Sequence, residues 1–90
     1  MTIPNLDAMT SADLWAFHTK YQRGSKRSDC AALLGSKFHG YTVIAADLSA
    51  YAANKATAQD CRERGDIESA LMYEGICERI YNDLPAPARW

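Results

Sequence analysis

The chain has 90 residues, a mass of 10.0 kDa and a formal net charge of −1. A chain of this length forms one small domain, and its near-neutral charge excludes a strongly basic or acidic binding tail. Alanine supplies 15 residues, as many as leucine, isoleucine, valine and phenylalanine together. Because alanine has the highest helix propensity and a small side chain, this composition predicts an all-α domain with a thin core.

Several classes of protein are disfavoured by what the sequence lacks. No stretch approaches the roughly 18 apolar residues of a membrane span, and the first five residues lack the basic start of a signal peptide. An odd number of cysteines without recurring spacing favours reduced thiols in a cytoplasmic protein over a disulfide framework; they are Cys30, Cys61 and Cys77. No Cys-x-x-Cys or His-x-x-x-His pair is present, so we expect neither a metal site nor a cofactor.

Residues 1–23 are predicted to form a short lead and then a helix. Thr10 is placed to cap this helix, with Asp13 three residues later completing a capping box. The apolar stripe of the helix consists of Leu14, Phe17, His18 and Tyr21. A histidine on such a stripe is typical of a hydrogen-bonded residue at the edge of a core, and Gly24 is a natural stop.

Residues 24–42 contain three glycines and little periodicity, so they are predicted to be a largely irregular, basic connection. Within them, residues 28–34 are predicted to form one or two helical turns. Ser28 would cap these turns and Gly35 would end them. This segment is the least periodic part of the chain.

Residues 43–84 are predicted to form a long antiparallel αα-hairpin. The first helix runs from residue 42 or 43 to about residue 64, and its stripe has three- and four-residue steps. Gly65 breaks the pattern and Asp66 can cap a second helix, which runs from about residue 67 to 83. A Pro-rich tail, residues 85–90, follows. Two long helices joined by so short a turn must lie antiparallel, and residues 1–90 form one all-α domain.

The second hairpin helix has an unusually wide apolar face. At 100° per residue its apolar positions spread over about 220°, whereas a helix resting on one neighbour needs little more than 100°. Either the amino-terminal helix or a second copy of the chain covers the excess. We expect a two-fold homodimer with Ile76 and Ile80 near its centre, Tyr73 beside them, and the tail docked through Trp90 on the same assembly.

Two charged residues fall inside the apolar faces of the hairpin. Glu74 interrupts the arc of the second helix and is about level with Lys55 across the turn. We expect a partly buried Lys55–Glu74 pair that sets the register of the two helices. No second titrating group can be placed beside Glu74, so the sequence does not indicate an enzyme and assigns no catalytic residue.

The middle of the chain is basic and contains aromatic residues. Its cations, interleaved with Phe38, His39 and Tyr41, could hold phosphates and stack bases; they are Lys20, Arg23, Lys26, Arg27 and Lys37. The alternative interpretation is a solvated helix end, because cations complement the carboxyl-terminal dipole of a helix. A sequence pI near 6.0 makes the nucleic-acid interpretation the weaker of the two.

Segment 60–74 resembles the turn of a tetratricopeptide or microtubule-interacting-and-transport hairpin. The shared features are Gly-Asp at the turn, an alanine five residues after the glycine and a small residue seven further on. The first helix lacks the Trp and the Leu-Gly pair of the tetratricopeptide repeat, and repeat arrays need about three units. The resemblance therefore supports the hairpin and not repeat-type peptide binding.

The chain is also similar, over about two thirds of its length, to short uncharacterised proteins of marine bacteriophages and marine alphaproteobacteria. The similarity rests on residues 3–7 (IPNLD), 51–58 (YAANKATA), 64–68 (RGDIE), 79–81 (RIY), 84–85 (LP) and 88–90 (ARW). This resemblance implies an intracellular, phage- or prophage-linked setting and carries no assigned activity. Together these observations favour a small helical interaction or assembly protein. The alternative is a nucleic-acid-binding accessory factor that uses residues 20–41.

Overall fold

A computed structural model describes residues 3–90 and shows an all-α fold, as predicted. Four α-helices follow one another: α1 (Ser11–Tyr21), α2 (Arg27–Leu34), α3 (Tyr41–Glu63) and α4 (Ile67–Asp83). Short 3₁₀ helices precede and follow them at Leu6–Ala8 and Ala86–Ala88. Residues 3–90 contain no strand. Within the same residues, no helix combines the length and hydrophobicity that crossing a membrane requires.

The beginning of α1 is set by the residue that the sequence indicates. Thr10 has extended backbone angles, and its side-chain oxygen accepts a hydrogen bond from the Asp13 backbone N–H at 3.2 Å. This bond satisfies one of the N–H groups that the first turn of a helix leaves free. The predicted cap is confirmed.

The middle segment is more helical than predicted. Helix α2 occupies residues 27–34 of the stretch predicted to be largely irregular, one residue more than the turns predicted at 28–34. Gly35, with a φ of +90°, ends it and donates its N–H to the Ala31 carbonyl at 2.7 Å. Ser28 does not cap the helix, because Lys26 holds the cap position. The irregular part is therefore confined to the two short connections around α2.

Helices α3 and α4 form the predicted pair. The turn between them contains Gly65 at a φ of +81°, a left-handed conformation that glycine adopts without strain. The Asp66 side chain accepts from the Ser69 N–H at 3.2 Å and so begins α4 as expected. Along the pair, the Cys77 thiol lies 3.6 Å from the Tyr51 carbonyl oxygen, to which it donates.

Helix α3 is the centre of the fold, with α1 and α4 each packed along it and α2 against it. Its fully buried positions include small residues that let both neighbours approach closely, among them Ala45, Ala52 and Ala56. Large residues complete the core: Leu6, Leu14, Leu48 and Leu84. Because α1 packs on α3 and not substantially on α4, the amino-terminal helix does not cover the wide apolar face of α4.

Candidate functional site

A polar network centred on Asp7 joins the two ends of the described chain to α3. Asn5 caps the first 3₁₀ helix by accepting the Asp7 backbone N–H at 3.0 Å, which places the Asp7 carboxylate. One carboxylate oxygen accepts the Tyr51 hydroxyl, and the other accepts the Trp90 indole N–H at 3.0 Å. Lys55 Nζ lies 3.5 Å from Asp7 Oδ1. We call Asp7, Tyr51, Lys55 and Trp90 the Asp7 network.

The network changes the proton affinity of its members. Partial burial alone would raise the pKa of Asp7, but the bonds from Tyr51 and Trp90 and the charge of Lys55 outweigh it, so the pKa is lowered. Burial and the Asp7 carboxylate raise the pKa of Tyr51. Asp7 is therefore a carboxylate and Tyr51 a neutral donor at neutral pH, which is the combination their hydrogen bond requires.

Trp90 docks on its own chain. Its ring packs edge-on against Tyr51 and Tyr81, with ring centroids 4.6 and 4.8 Å away. The Tyr81 hydroxyl donates to the Trp90 carbonyl oxygen at 2.8 Å, and Arg89 holds the tail by donating to the Leu84 carbonyl at 3.0 Å. The tail thus docks through Trp90, as expected, and the surface that receives its ring is an aromatic cluster of the same chain.

The predicted Lys55–Glu74 ion pair is wrong. Glu74 instead accepts two bonds from the Arg62 guanidinium, at 2.5 and 2.8 Å, and Lys55 turns to Asp7. Arg62 lies on the same stripe of α3 two turns later, and its planar fork matches a carboxylate bidentately where an ammonium cannot. Hydrogen bonding to Arg62 is the main cause that lowers the pKa of Glu74.

Lys55 and Glu74 nevertheless line the same cleft between α3 and α4, which has a volume of about 290 Å³. Its remaining lining residues are Asp7, Tyr51, Cys77, Glu78 and Tyr81. In the described residues, every buried side-chain nitrogen and oxygen atom has a hydrogen-bond partner. Within the described residues, the Asp7 network therefore adds no unsatisfied buried polar atom to this cleft.

His18 has the structural surroundings that the sequence predicts. Its Nδ1 lies 2.8 Å from Ser49 Oγ and 3.1 Å from the Ser49 carbonyl oxygen. Ser49 Oγ also donates to the His18 carbonyl at 2.9 Å, and Ser49 is only 1% exposed. The pair ties α1 to α3 in the interior, where the serine hydroxyl is closed off from solvent.

The three cysteines, Cys30, Cys61 and Cys77, are buried free thiols. Burial raises the pKa of Cys77 to about 11, so only about one molecule in a thousand carries its thiolate at pH 8.

Because the thiolate is the reactive form, we expect an aromatic disulfide reagent to modify the native protein at least about 100-fold more slowly than the unfolded chain. Unfolding without reductant should release three thiols; one thiol, or fast native labelling, would contradict this account.

The predicted interface residues on α4 lie at the edge of the monomer core. Tyr73, Ile76 and Ile80 are half-buried, and Ile80 packs against the core cluster. The large apolar side chains that α4 exposes are different ones: Leu71 is 57% and Met72 is 55% exposed, with Ile67 close behind. Of the three residues predicted for the interface, Ile80 is therefore partly taken up by the core, and none is fully exposed.

The outer surface of α4 carries a stripe with four-, three- and four-residue spacing. We call Glu68, Met72, Gly75 and Arg79 the outer stripe; all four are exposed. These spacings place them within about 60° of one another around the helix. A Cβ at Gly75 would meet no atom within 4 Å. The fold itself therefore does not require a glycine in the middle of α4.

The predicted polyanion residues separate into two groups. Lys20, Arg23 and Lys26 line one cleft of about 350 Å³ at the corner between α1 and α2. Arg27 begins α2 and Lys37 lies in the connection to α3, and neither lines this cleft. Within residues 3–90 none of the five forms an ion pair.

Neither Asp7 nor the outer stripe was predicted from the sequence as a functional site. The sequence feature that could have identified Asp7 is the Asn5-x-Asp7 pattern, in which Asn5 caps a turn and fixes the position of the Asp7 carboxylate. The fold brings five residues from distant parts of the chain to one place: Asp7, Tyr51, Lys55, Tyr81 and Trp90. In the part of the chain that the structure describes, no three His, Cys, Asp or Glu side chains converge as metal ligands.

No family model, no curated protein and no solved structure matches this chain.

Proposed function

We propose that this protein is a small helical interaction module that assembles as a homodimer through the outer stripe of α4. The observation that carries the proposal is Met72, 55% exposed beside a glycine that the monomer does not need. A glycine inside a helix costs about 0.5–1 kcal/mol relative to alanine. Close approach of another molecule is one use of such a glycine, and contiguous exposed apolar surface marks interaction sites. Ile67 and Leu71 are exposed on α4 together with Met72.

The occupant best suited to this surface is a second copy of the same helix. In an antiparallel pair, one two-fold axis brings Glu68 level with the partner's Arg79 and Met72 level with the partner's Gly75, because both pairs share the same midpoint. Neither Glu68 nor Arg79 forms an ion pair within residues 3–90. The dimer would seat each methionine in the other helix's glycine notch and form two ion pairs at the ends of the seam. Two-fold dimers are the commonest closed assembly, and their contacts are self-complementary in this way.

We further propose that the dimer acts in a cytoplasm; the buried free thiols Cys30, Cys61 and Cys77 support a reducing compartment. A phage- or prophage-linked setting is proposed on the sequence resemblance alone. In either setting the protein would act by presenting paired helices, with α1 and the carboxyl-terminal tail on the flanks of each copy.

A charge-reversal series tests the proposed pairing. Glu68→Lys or Arg79→Glu alone would place like charges together twice per dimer, so each is expected to raise the dissociation constant about tenfold. The double variant carries both reversals and should recover the affinity to within about threefold. Sedimentation equilibrium is the suitable measurement, because it reports the dissociation constant directly. The loss of the acidic first-turn residue Glu68 also lowers the stability of α4, and this change in stability does not enter the measured mass of a folded protein.

Two results would count against this pairing. Equal affinities for both single variants and the wild type would place the interface elsewhere. A double variant weaker than either single variant would show that the two charges do not face each other.

A further inference from the structure

The corner between α1 and α2 gathers positive charge. The Ser25 N–H and hydroxyl both bond to the Gln22 carbonyl, at 3.0 and 2.5 Å, and Gly24 takes a φ of +90°. This tight turn brings the last turn of α1 and the start of α2 together. As a result, Lys20, Arg23 and Lys26 line one cleft although the first and the last are six positions apart.

The charges in this cleft are not neutralised by the fold. None of the three cations forms an ion pair in the described residues, and Asp29 is the one acid in the lining. Lys20 Nζ lies 5.5 Å from the Tyr21 ring centre, a contact that leaves its hydrogen-bond donors free. Outside the cleft, Asp47 is a neighbour of Arg23, whose charge acts to lower the Asp47 pKa against the raising effect of burial. Three cations against Asp29 in the lining and Asp47 beside Arg23 leave a local excess of one positive charge on an otherwise slightly acidic chain.

We propose that this corner cleft binds a phosphate group. A guanidinium recognises phosphate oxygens through two parallel hydrogen bonds, and two ammonium groups add charge-assisted bonds from the sides. The lining residues Lys20, Arg23 and Lys26 supply these groups, and a phosphate monoester carries close to two negative charges at neutral pH. Because Arg27 and Lys37 lie outside the lining, the cleft suits one phosphate group and not the extended backbone of a polynucleotide. The proposal does not involve α4 and is independent of the dimer.

A nuclear magnetic resonance titration of the ¹⁵N-labelled protein with inorganic phosphate tests this site, at ionic strength held constant with sodium chloride. We expect saturable shifts centred on residues 19–29. Arg23→Gln and Lys26→Gln should each weaken binding about fivefold. Asp29→Asn should tighten binding about threefold, because it removes the opposing charge in the cleft lining. Lys37→Gln, a cation outside the cleft, is the matched control and should leave binding unchanged.

A second arm distinguishes the source of the phosphate. If the cleft reads the phosphate group alone, a nucleoside monophosphate and inorganic phosphate will bind within about threefold of each other; much tighter nucleotide binding would support the same site with a nucleotide ligand. Shifts that sodium chloride reproduces, or equal binding by Arg23→Gln and wild type, would overturn the proposal. Tight binding of an oligonucleotide without a terminal phosphate would also overturn it, if the logarithm of the affinity falls steeply with the logarithm of the salt concentration. Such a slope indicates contact with many backbone phosphates and thus a polynucleotide surface.

Discussion

A Trp90→Ala variant is expected to unfold with a free energy about 2–3 kcal/mol below that of the wild type. Large aromatic residues cost about 3–5 kcal/mol when truncated in a full core, and Trp90 is half-buried. The change removes the packing on Tyr51 and Tyr81 and the hydrogen bond to Asp7 at once. Urea unfolding followed by circular dichroism measures the loss without relying on tryptophan fluorescence.

Two matched variants separate the causes. Trp90→Phe keeps an aromatic ring against the two tyrosines but loses the indole N–H, so it should cost about 1 kcal/mol. Trp15→Ala removes a tryptophan that is largely exposed on α1 and should cost less than Trp90→Phe. If Trp90→Ala unfolds at the wild-type midpoint, the tail is not docked and the Asp7 network does not hold it.

The Asp7 carboxylate makes part of this stabilisation depend on pH. Its pKa in the folded state is lower than the ordinary value of 3.8, so its contribution is fully present above that value and is lost as the pH falls through the folded pKa. The stability difference between the wild type and Asp7→Asn should therefore be constant near neutral pH and shrink below about pH 3.8. A difference that stays the same in acid would show that the ionised carboxylate contributes nothing.

Two substitutions of Gly75 test its role in folding and in assembly separately. Gly75→Ala meets no neighbour in the monomer and should raise the free energy of unfolding by about 0.5–1 kcal/mol when measured on dilute monomer. Gly75→Leu would fill the notch that we propose for the partner's Met72. It should weaken the dimer about 30-fold or more without unfolding the chain, the effect expected at the centre of an interface.

Met72→Glu probes the same contact from the other side, because it places a carboxylate in an apolar notch. We expect a loss of assembly of the same size as for Gly75→Leu, measured by sedimentation equilibrium. Val43→Glu is the matched control: Val43 is as exposed as Met72 but lies at the start of α3. If Val43→Glu dissociates the protein and Met72→Glu does not, the interface is on α3 and the outer stripe is a solvated surface.

The sequence predicted well those elements whose signals are local. The hairpin follows from two periodic stretches around Gly65 and Asp66, and the first helix follows from the Thr10 cap. Helix α2 was predicted to within one residue, as one or two turns at 28–34, but Ser28 was wrongly taken as its cap. So short a helix has little intrinsic stability. Packing against α3 stabilises this helix, and periodicity does not report such a contact.

The candidate sites depend on contacts that no local pattern encodes. Trp90 and Asp7 are 83 positions apart, and their hydrogen bond forms only after the tail folds back across α3 and α4. Helical spacing correctly brings Lys55 and Glu74 to one cleft, but it cannot decide between two cations on the same stripe. Arg62 takes the carboxylate because its guanidinium can bind it with two nitrogens.

The width of the apolar face on α4 was visible in the sequence, but the edge that stays exposed was not. That edge depends on α1 packing along α3 and leaving α4 with one helical neighbour. Met72 is therefore exposed, whereas Ile80 packs against the core and is half-buried. The expectation of a partner for α4 therefore stands as a proposal, with its centre moved to Met72 and Gly75.

Sedimentation equilibrium of the wild-type protein, at concentrations from low to hundreds of micromolar, tests the central claim most directly. The proposed dimer predicts a mass that rises with concentration to about 20 kDa, twice the 10.0 kDa of one chain, and goes no higher because a two-fold contact closes. A mass of 10.0 kDa throughout that range would contradict the claim and leave the outer stripe of α4 as a solvent-facing surface.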